Sequence, residues 1–257
     1  EQQGSMSTWV ETQYNGGDSY HALERPFGEF EYPSDFMDNP EFYLSFSFTQ
    51  NRFWGDTRAS QNYDFSDSEH VESHLAEQRA FAANYDFIPL PMESLSANNR
   101  KIIGFEPDFT PPRIILREDV LNFSASPTPT YHSTFGTPNS SRNARYAQVI
   151  FRYTDGGRFT QNQGVYLVGD FNQWILREQN KLTFNEESGY WETSALIKEG
   201  EYRYKYAIKS GNEIDDLTLS DTITRRNQEY TGFVYFRDPD RQYDRLLNIQ
   251  FFRSNAD

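Results

Sequence analysis

The alternation of polar and aromatic residues in "EYRYKYAI", residues 201–208, is the feature that most constrains the fold of this chain. Tyr202, Tyr204, Tyr206 and Ile208 fall on one side of a period-two pattern, and the residues between them fall on the other. This period is typical of a half-buried β-strand, because successive side chains point to opposite faces of a sheet. The segment therefore predicts a strand whose tyrosine row faces a core.

The same alternation recurs along the chain. In "EFYLSFSF", residues 41–48, it places Phe42, Leu44, Phe46 and Phe48 on one face. "YWETSALI", "YTGFVYF" and "RLLNIQFF" are further strand candidates, and short turn signals such as "NEESG", "KEG" and "KSGN" separate neighbouring segments. The sequence therefore predicts an all-β protein of antiparallel strands.

The distribution of these segments predicts two β-units. Residues 1–40 are predicted as a poorly defined N-terminal segment and residues 41–121 as an N-terminal β-unit. Within it, "SDSEHVESHLAEQRAFA" carries capping serines and apolar residues near helical spacing, which predicts a short helix. Residues 122–144 are rich in Ser, Thr and Pro and are predicted as a linker or mobile loop. Residues 145–257 are predicted as a continuous antiparallel β-sandwich.

Composition excludes several classes of partner and chemistry. The net charge of −14 argues against nucleic acid, because binding a phosphate backbone requires a surplus of Lys and Arg. The absence of cysteine excludes disulfides, thiol nucleophiles and the common structural zinc sites. No apolar run approaches the roughly 20 residues of a membrane helix, so we expect a chain that does not span the membrane.

Two clusters of ligand-type residues each have a simpler interpretation. His70 and His74 stand four apart, as in zinc hydrolases, but no glutamate directly follows His70, so two solvated histidines are favoured. Asp215, Asp216 and Asp221 suggest calcium, yet the segment lacks the central glycine and closing glutamate of an EF-hand, so a solvated acidic hairpin is favoured. A glycosidase carboxylate pair is spatial rather than sequential, and nothing favours any two acids. We therefore predict no catalytic residue, no metal site and no cofactor.

The segment "GVYLVGDFNQW", residues 164–174, followed by "SGYWETSALIKEGEYRYKYAI", resembles the early-set, immunoglobulin-like modules of the glycogen- and starch-binding type. The resemblance implies an immunoglobulin-like sandwich for residues 145–257. It also implies an alternative function, a carbohydrate-binding accessory module in which Trp174 and Lys205 contact glucan. The second tryptophan of that family's site has no counterpart in "KSGNEIDD". We favour the hypothesis that Trp174 packs at an edge of the sandwich.

The tail "DTITRRNQEYTGFVYFRDPDRQYDRLLNIQ", residues 221–250, resembles the C-terminal end of the plug proteins of the type IX secretion system of Bacteroidota. "FTQNRFWGDTR", residues 48–58, is similar to a further segment of that family, which also carries the "YLVGDFNQW" module. The matching tail residues fall in three elements: Asn227, Glu229 and Tyr230; Val234, Tyr235, Phe236 and Arg237; Asp240, Arg241, Tyr243, Asp244, Arg245, Leu246 and Leu247.

This second resemblance implies a non-enzymatic periplasmic protein, peripherally associated with the outer membrane. Such a protein docks on a large outer-membrane β-barrel translocon protein and plugs its pore.

Reversible docking suits a polar interface with a few aromatic or arginine anchors. Our candidate anchors are Arg237, Arg241, Tyr243 and Arg245. The competing interpretation is a salt-bridged strand end, in which the neighbouring aspartates balance the arginines.

Overall fold

The computed structural model describes residues 4–15, 18–32, 43–51, 56–65, 70–93, 100–120, 137–138, 144–154, 163–216, 219 and 227–254. In this part of the chain all regular elements are β-strands and short 3-10 turns, so the predicted all-β class is confirmed. The strands are β1 Ser5–Asn15, β2 Asp18–Glu31, β3 Leu44–Gln50, β4 Arg58–Ala59, β5 Asn62–Asp64, β6 His70–His74, β7 Phe81–Ala82, β8 Ile88–Met92, β9 Ile102–Glu106, β10 Arg113–Leu116, β11 Asp119–Val120, β12 Thr137–Pro138, β13 Tyr146–Thr154, β14 Gly164–Gly169, β15 Thr183–Asn185, β16 Tyr190–Lys198, β17 Gly200–Ser210, β18 Glu213–Asp215, β19 Glu229–Arg237 and β20 Asp244–Arg253.

The chain forms two compact units, and the first is discontinuous in sequence. It combines residues 1–85 with residues 126–132 and 223–257. One of its sheets has the order β1-β2-β6-β5, with β7 also on β2, and the other has the order β20-β19-β3-β4. Apolar residues from both sheets share one core, among them Phe30, Val71, Phe46, Phe48, Tyr230, Val234 and Leu247. The first unit is therefore a two-sheet sandwich.

The second unit comprises residues 86–125 and 133–222. One sheet has the order β15-β16-β13-β10-β9, with β11 also on β13, and the other joins β12, β17 and β14, with β8 and β18 also on β17. β10 and β13 pair in parallel, whereas β13 and β16 pair antiparallel over eight residue pairs. The shared core contains Leu90, Ile114, Val149, Phe151, Leu167, Tyr204 and Tyr206.

The predicted aromatic rows occupy these cores. Tyr202, Tyr204, Tyr206 and Ile208 of β17 all lie in the core of the second unit, as the alternation predicts. Leu44, Phe46 and Phe48 of β3 lie in the core of the first unit. Phe42 lies outside the described residues. Period-two alternation thus identified the core-facing side of these strands, but β17 is not half-buried, because Arg203 and Lys205 on its opposite side are buried too.

The division of the chain differs from the predicted one. The prediction of a poorly defined segment at residues 1–40 is wrong for β1 and β2, which form a long antiparallel hairpin in the first unit. The boundary near residue 145 is also displaced, because β19 pairs with β3 along seven residue pairs and so belongs to the first sandwich. The predicted continuous sandwich of residues 145–257 is therefore split between the two units. Long-range strand pairing, which leaves no local signal, causes this difference.

The predicted helix in the segment around His70 is wrong. His70–His74 is strand β6, which pairs with β2 and places Val71 opposite Phe30. Only a 3-10 turn follows, at Glu77–Arg79. Val71 and Ser73 are buried and alternate with the more exposed His70, Glu72 and His74, which is the period of a strand and not of a helix.

Most of the predicted linker at residues 122–144 lies outside the described residues. Thr137 and Pro138 are described, and they pair with Glu201 and Gly200 of β17. No helix in the described part of the chain is long and apolar enough to span a membrane.

Candidate functional site

The predicted anchor residues surround the turn between β19 and β20. Asp238 organises this turn: its carboxylate accepts hydrogen bonds from the backbone N–H groups of Asp240 and Arg241, at 3.0 and 2.9 Å. The Asp238 N–H also donates to the carbonyl of Tyr243 at 3.0 Å. An aspartate in this role is typical of tight turns, because its side chain can replace a backbone acceptor. The sequence "RDPDRQYDR" therefore forms an ordered, exposed hairpin tip.

Some of the side chains at this tip interact with one another. Arg237 and Asp244 form an ion pair of 3.2 Å, with side chains 53% and 59% exposed. The Arg241 guanidinium lies 3.5 Å from the Tyr243 hydroxyl. Exposed pairs of this kind contribute about 0–1 kcal/mol. The structure thus brings the candidate anchors onto one accessible hairpin, while the local salt bridge of the competing interpretation is also present.

An apolar strip continues from this tip along β20. Leu246, Ile249 and Phe251 are 47%, 37% and 52% exposed. Ile249 is opposite Phe233 on β19, and the Phe233 ring stacks on Tyr235 at 6.0 Å. β20 pairs only with β19 among the described strands, so it is an edge strand of its sheet. Exposed apolar residues on an edge strand mark a surface suited to protein contact.

Two segments that carry the plug-protein resemblance meet inside the first unit. The Asn51 amide donates to Gln228 at 2.6 Å and accepts from the N–H of Glu229 at 3.2 Å. Gln50 donates to the Tyr230 hydroxyl at 3.2 Å, and Tyr230 donates to the fully buried Glu24 at 2.6 Å. The residues "QN" and "QEY" are therefore joined by a buried hydrogen-bond network across nearly 180 positions of sequence.

The turn "GDFNQW" of the other resemblance is held by its own side chains. The Asn172 carbonyl accepts from the N–H of Gly169 at 2.9 Å, and the Asn172 amide donates to the carbonyl of Leu167 at 2.9 Å. A Cβ at Gly169 would lie 2.7 Å from the carbonyl oxygen of Arg203. Only glycine fits this close approach, so the glycine and asparagine of the motif have structural roles.

Asp170 of the same turn binds Arg203 on β17. Its carboxylate accepts from the Arg203 N–H at 2.7 Å and from the guanidinium at 3.0 and 3.2 Å. Both side chains are largely buried: that of Arg203 is 7% exposed and that of Asp170 is 13% exposed. Asp170 also accepts from the Trp174 indole N–H at 3.1 Å, and the Trp174 ring packs edge-on against Phe87. Trp174 is thus part of a packed cluster at the sheet.

Lys205, the second residue of the carbohydrate alternative, is buried at 2% exposure. Burial lowers the pKa of Lys205 to about 8. The negative charges of Asp216, Asp86 and Asp215 act in the opposite direction and limit this decrease. The residue that lies over the Trp174 ring is instead Arg203, at 5.8 Å. A lysine that contacts a glucan chain needs an accessible ammonium group, so this placement does not assemble the carbohydrate site.

A polar cluster that the sequence did not reveal lies in the second core. The Asp119 carboxylate accepts from the hydroxyls of Tyr204 and Tyr206, at 2.6 and 2.8 Å, and Lys101 donates to Tyr204 at 2.9 Å. Burial, with the charge of Asp119, raises the pKa of both tyrosines well above the usual value. Both phenols are therefore protonated donors at neutral pH, which suits a structural network rather than a base or nucleophile.

The candidate metal residues that the structure describes are His70, His74, Asp215 and Asp216. His70 and His74 lie on one face of β6, and the His74 ring stacks on Phe27 at 4.7 Å. Asp215 is exposed on β18, and Asp221 lies outside the described residues. Within the described part of the chain, no group of three His, Asp or Glu residues is arranged to hold a metal ion.

Comparison with known proteins identifies a shared fold. No family model matches the sequence, and no curated protein matches it. The crystal structure of a hypothetical protein from Parabacteroides merdae ATCC 43184, at 2.30 Å resolution, is similar with a TM-score of 0.72 and 18% sequence identity. The match covers 97% of this chain and 64% of that protein, so this chain spans just under two thirds of its length. At this identity the likeness concerns the fold alone.

Proposed function

We propose that this protein is a non-enzymatic periplasmic subunit of the type IX secretion machinery of Bacteroidota. In this proposal it docks on the large outer-membrane β-barrel translocon protein and plugs its pore. The observation that carries the proposal is the junction of Asn51 with Gln228 and Glu229, because segments that resemble the plug family form one buried network. A chance resemblance of short segments gives no reason for them to meet in the fold.

The surface of the β19–β20 hairpin supports docking at a wet rim. It combines the charged tip around Arg241 with the apolar strip of Leu246, Ile249 and Phe251. An apolar centre beside polar groups is the composition typical of a protein interface. We place the contact with the barrel here, and we propose that the second unit has the immunoglobulin-like, early-set topology that its "GDFNQW" turn suggests.

The experiment is a pull-down of the tagged protein from gently solubilised envelopes of its native host, with partners identified by mass spectrometry. Recovery of one very large outer-membrane barrel protein in near-stoichiometric amount is the expected result. Recovery of no barrel protein by a correctly folded bait would overturn the proposal.

The variant that tests the surface is Phe251→Glu, which places a charge in the apolar strip. Loss of a central interface residue costs about 2 kcal/mol or more, which is roughly a thirtyfold loss of affinity. Phe184→Glu is the matched control, since Phe184 is also 52% exposed but lies on β15 in the other unit. Equal capture by the two variants would exclude the β20 strip as the docking surface.

A further inference from the structure

One edge of strand β16 is open over half of its length. β13 pairs with one edge of β16 from Trp191 to Lys198. On the other edge, β15 pairs only with Tyr190, Trp191 and Glu192. From position 193 to 198, no residue in the described part of the chain pairs with this second edge. An open edge presents backbone N–H and C=O groups to any strand that can lie beside it.

A cleft of about 570 Å³ lies against this open edge. Ser194, Ala195 and Leu196, with Gln148 of the neighbouring β13, form one wall, and residues between positions 171 and 180, after β14, form the other. The β16 side chains that point inward are buried in the core, whereas Leu196 is 56% exposed. The cleft therefore reaches the open edge, extends over the outer face of the sheet to Gln148, and offers the apolar side chain of Leu196 beside the edge.

Three polar side chains on the opposite wall form no hydrogen bond or ion pair with the described residues. Gln173, Arg177 and Gln179 are exposed, and within the described residues their side chains form no hydrogen bond or ion pair. Their neighbours differ, because Asn172 is buried and donates to Leu167 and Asn180. The wall thus has a satisfied inner layer and an outer layer with free donors and acceptors.

The backbone of this wall adopts an unusual conformation. Gln173 and Trp174 both have φ of +60°, in the left-handed region that L-residues rarely occupy. The Trp174 N–H donates to the carbonyl of Gly169 at 3.0 Å, and its indole is held by Asp170. The packed turn beneath therefore holds the chain so that Gln173 lines the cleft.

The lining favours a peptide over a sugar. Stacking on a sugar requires an exposed aromatic face, but the Phe171 ring packs against Phe151 and Tyr202, at centroid distances of 5.6 and 6.3 Å. Side-chain amides both donate and accept, which matches the alternating groups of an extended backbone. The guanidinium of Arg177 suits a carboxylate.

We propose that this cleft binds an extended peptide segment of a partner protein, which adds as a strand to the open edge of β16 and places an acidic side chain on Arg177. Main-chain pairing provides affinity in such strand addition, and the side-chain contacts provide specificity. The site goes beyond the proposed plug function, because it uses β16 and the segment after β14 rather than the β19–β20 hairpin.

The experiment uses the full chain and a fluorescein-labelled octapeptide of alternating threonine and valine with one central glutamate. Binding is followed by fluorescence anisotropy, and hydrogen exchange with the unlabelled peptide locates the contact. We expect saturable binding and slower exchange of amides in residues 193–198. The same peptide with alternate backbone nitrogens methylated cannot pair with a strand edge and should not bind. Equal binding of the methylated peptide, protection only elsewhere, or no binding would each overturn the proposal.

Arg177→Gln tests the acidic contact. We expect about tenfold weaker binding of the glutamate peptide, which is the size of one charge-assisted hydrogen bond, and no change for a peptide with glutamine instead. Arg117→Gln is the matched control, since Arg117 is exposed in the same unit but does not line the cleft. Unchanged affinity in Arg177→Gln would overturn the contact, and displacement of the peptide by maltohexaose would assign the cleft to a glycan instead.

Phe251→Glu should leave peptide binding intact, which separates this site from the plug proposal.

Discussion

At the residue scale, burial decides which charged side chains stabilise the fold. Asp170 and Arg203 are joined by three hydrogen bonds and are largely removed from water. Arg237 and Asp244 form a single contact on an exposed hairpin. The two ion pairs have the same chemical groups, so the difference between them reflects burial together with the larger number of hydrogen bonds in the buried pair.

Asp170→Ala should destabilise the protein by about 3–5 kcal/mol, because it leaves the Arg203 guanidinium buried without its carboxylate partner. Asp244→Ala, which breaks the exposed pair with Arg237, should cost no more than about 1 kcal/mol. The measurement is the free energy of unfolding from denaturant titration. Similar values for the two variants would contradict the assignment of Asp170 as a structural residue.

The lowered pKa of Lys205 predicts that the free energy of unfolding rises with pH. Its pKa is about 8 in the folded protein, against an ordinary value of 10.5, mainly because of burial. Below pH 8 the ammonium group is charged in both states. Between about pH 8 and 10.5 the folded protein has lost this proton while the unfolded chain retains it, so the free energy of unfolding rises with pH.

Lys205→Met removes this titration. The free energy of unfolding of the variant minus that of the unmodified protein should therefore decrease as the pH rises from 8 to 10. The raised pKa values of Tyr204 and Tyr206 affect both proteins equally and cancel in the difference. Denaturant titrations at several pH values measure this difference in the free energy of unfolding. A difference that is constant from pH 8 to 10 would contradict the prediction.

At the element scale, the turn after β14 shows how a short motif serves the fold. Gly169 permits the close approach to β17, Asn172 closes the turn, and Trp174 covers Phe87. Each residue of "GDFNQW" with an assigned contact acts within the unit. These contacts favour the hypothesis that Trp174 holds the sandwich, and Trp174→Ala tests it against stacking on a sugar.

Trp174→Ala should lower the melting temperature by several degrees, because it removes the contact with Phe87 and the hydrogen bond to Asp170. The neighbouring Ile175 is 48% exposed, and Ile175→Ala is the matched control, with an expected change near zero. Thermal unfolding followed by circular dichroism checks both. An unchanged melting temperature together with lost retention on glucan resin would support the carbohydrate alternative.

At the scale of the whole molecule, the first unit is assembled from distant parts of the chain. β3 and β19 are neighbours in one sheet although the entire second unit lies between them in sequence. The C-terminal hairpin therefore completes the N-terminal sandwich. A fragment chosen from the predicted boundary at residue 145 would cut through both units.

Fragment 86–222 should fold cooperatively, because it contains every described strand of the second sandwich. Fragment 145–257 should not, because it lacks β8, which pairs with β17, and β10, which pairs with β13. It also contains β19 without its partner β3. Thermal melts and near-ultraviolet circular dichroism of the two fragments test this expectation. A cooperative melt of fragment 145–257 would contradict the division into units.

The sequence by itself determined the all-β class and the buried tyrosine row of β17, because alternation is a local property that each strand carries in its own residues. Only the tertiary structure decided that His70–His74 is a strand, that β19 joins β3, and that Lys205 is buried. These outcomes depend on which strand lies beside which, and strand pairing across a hundred or more residues is set by packing of the whole core.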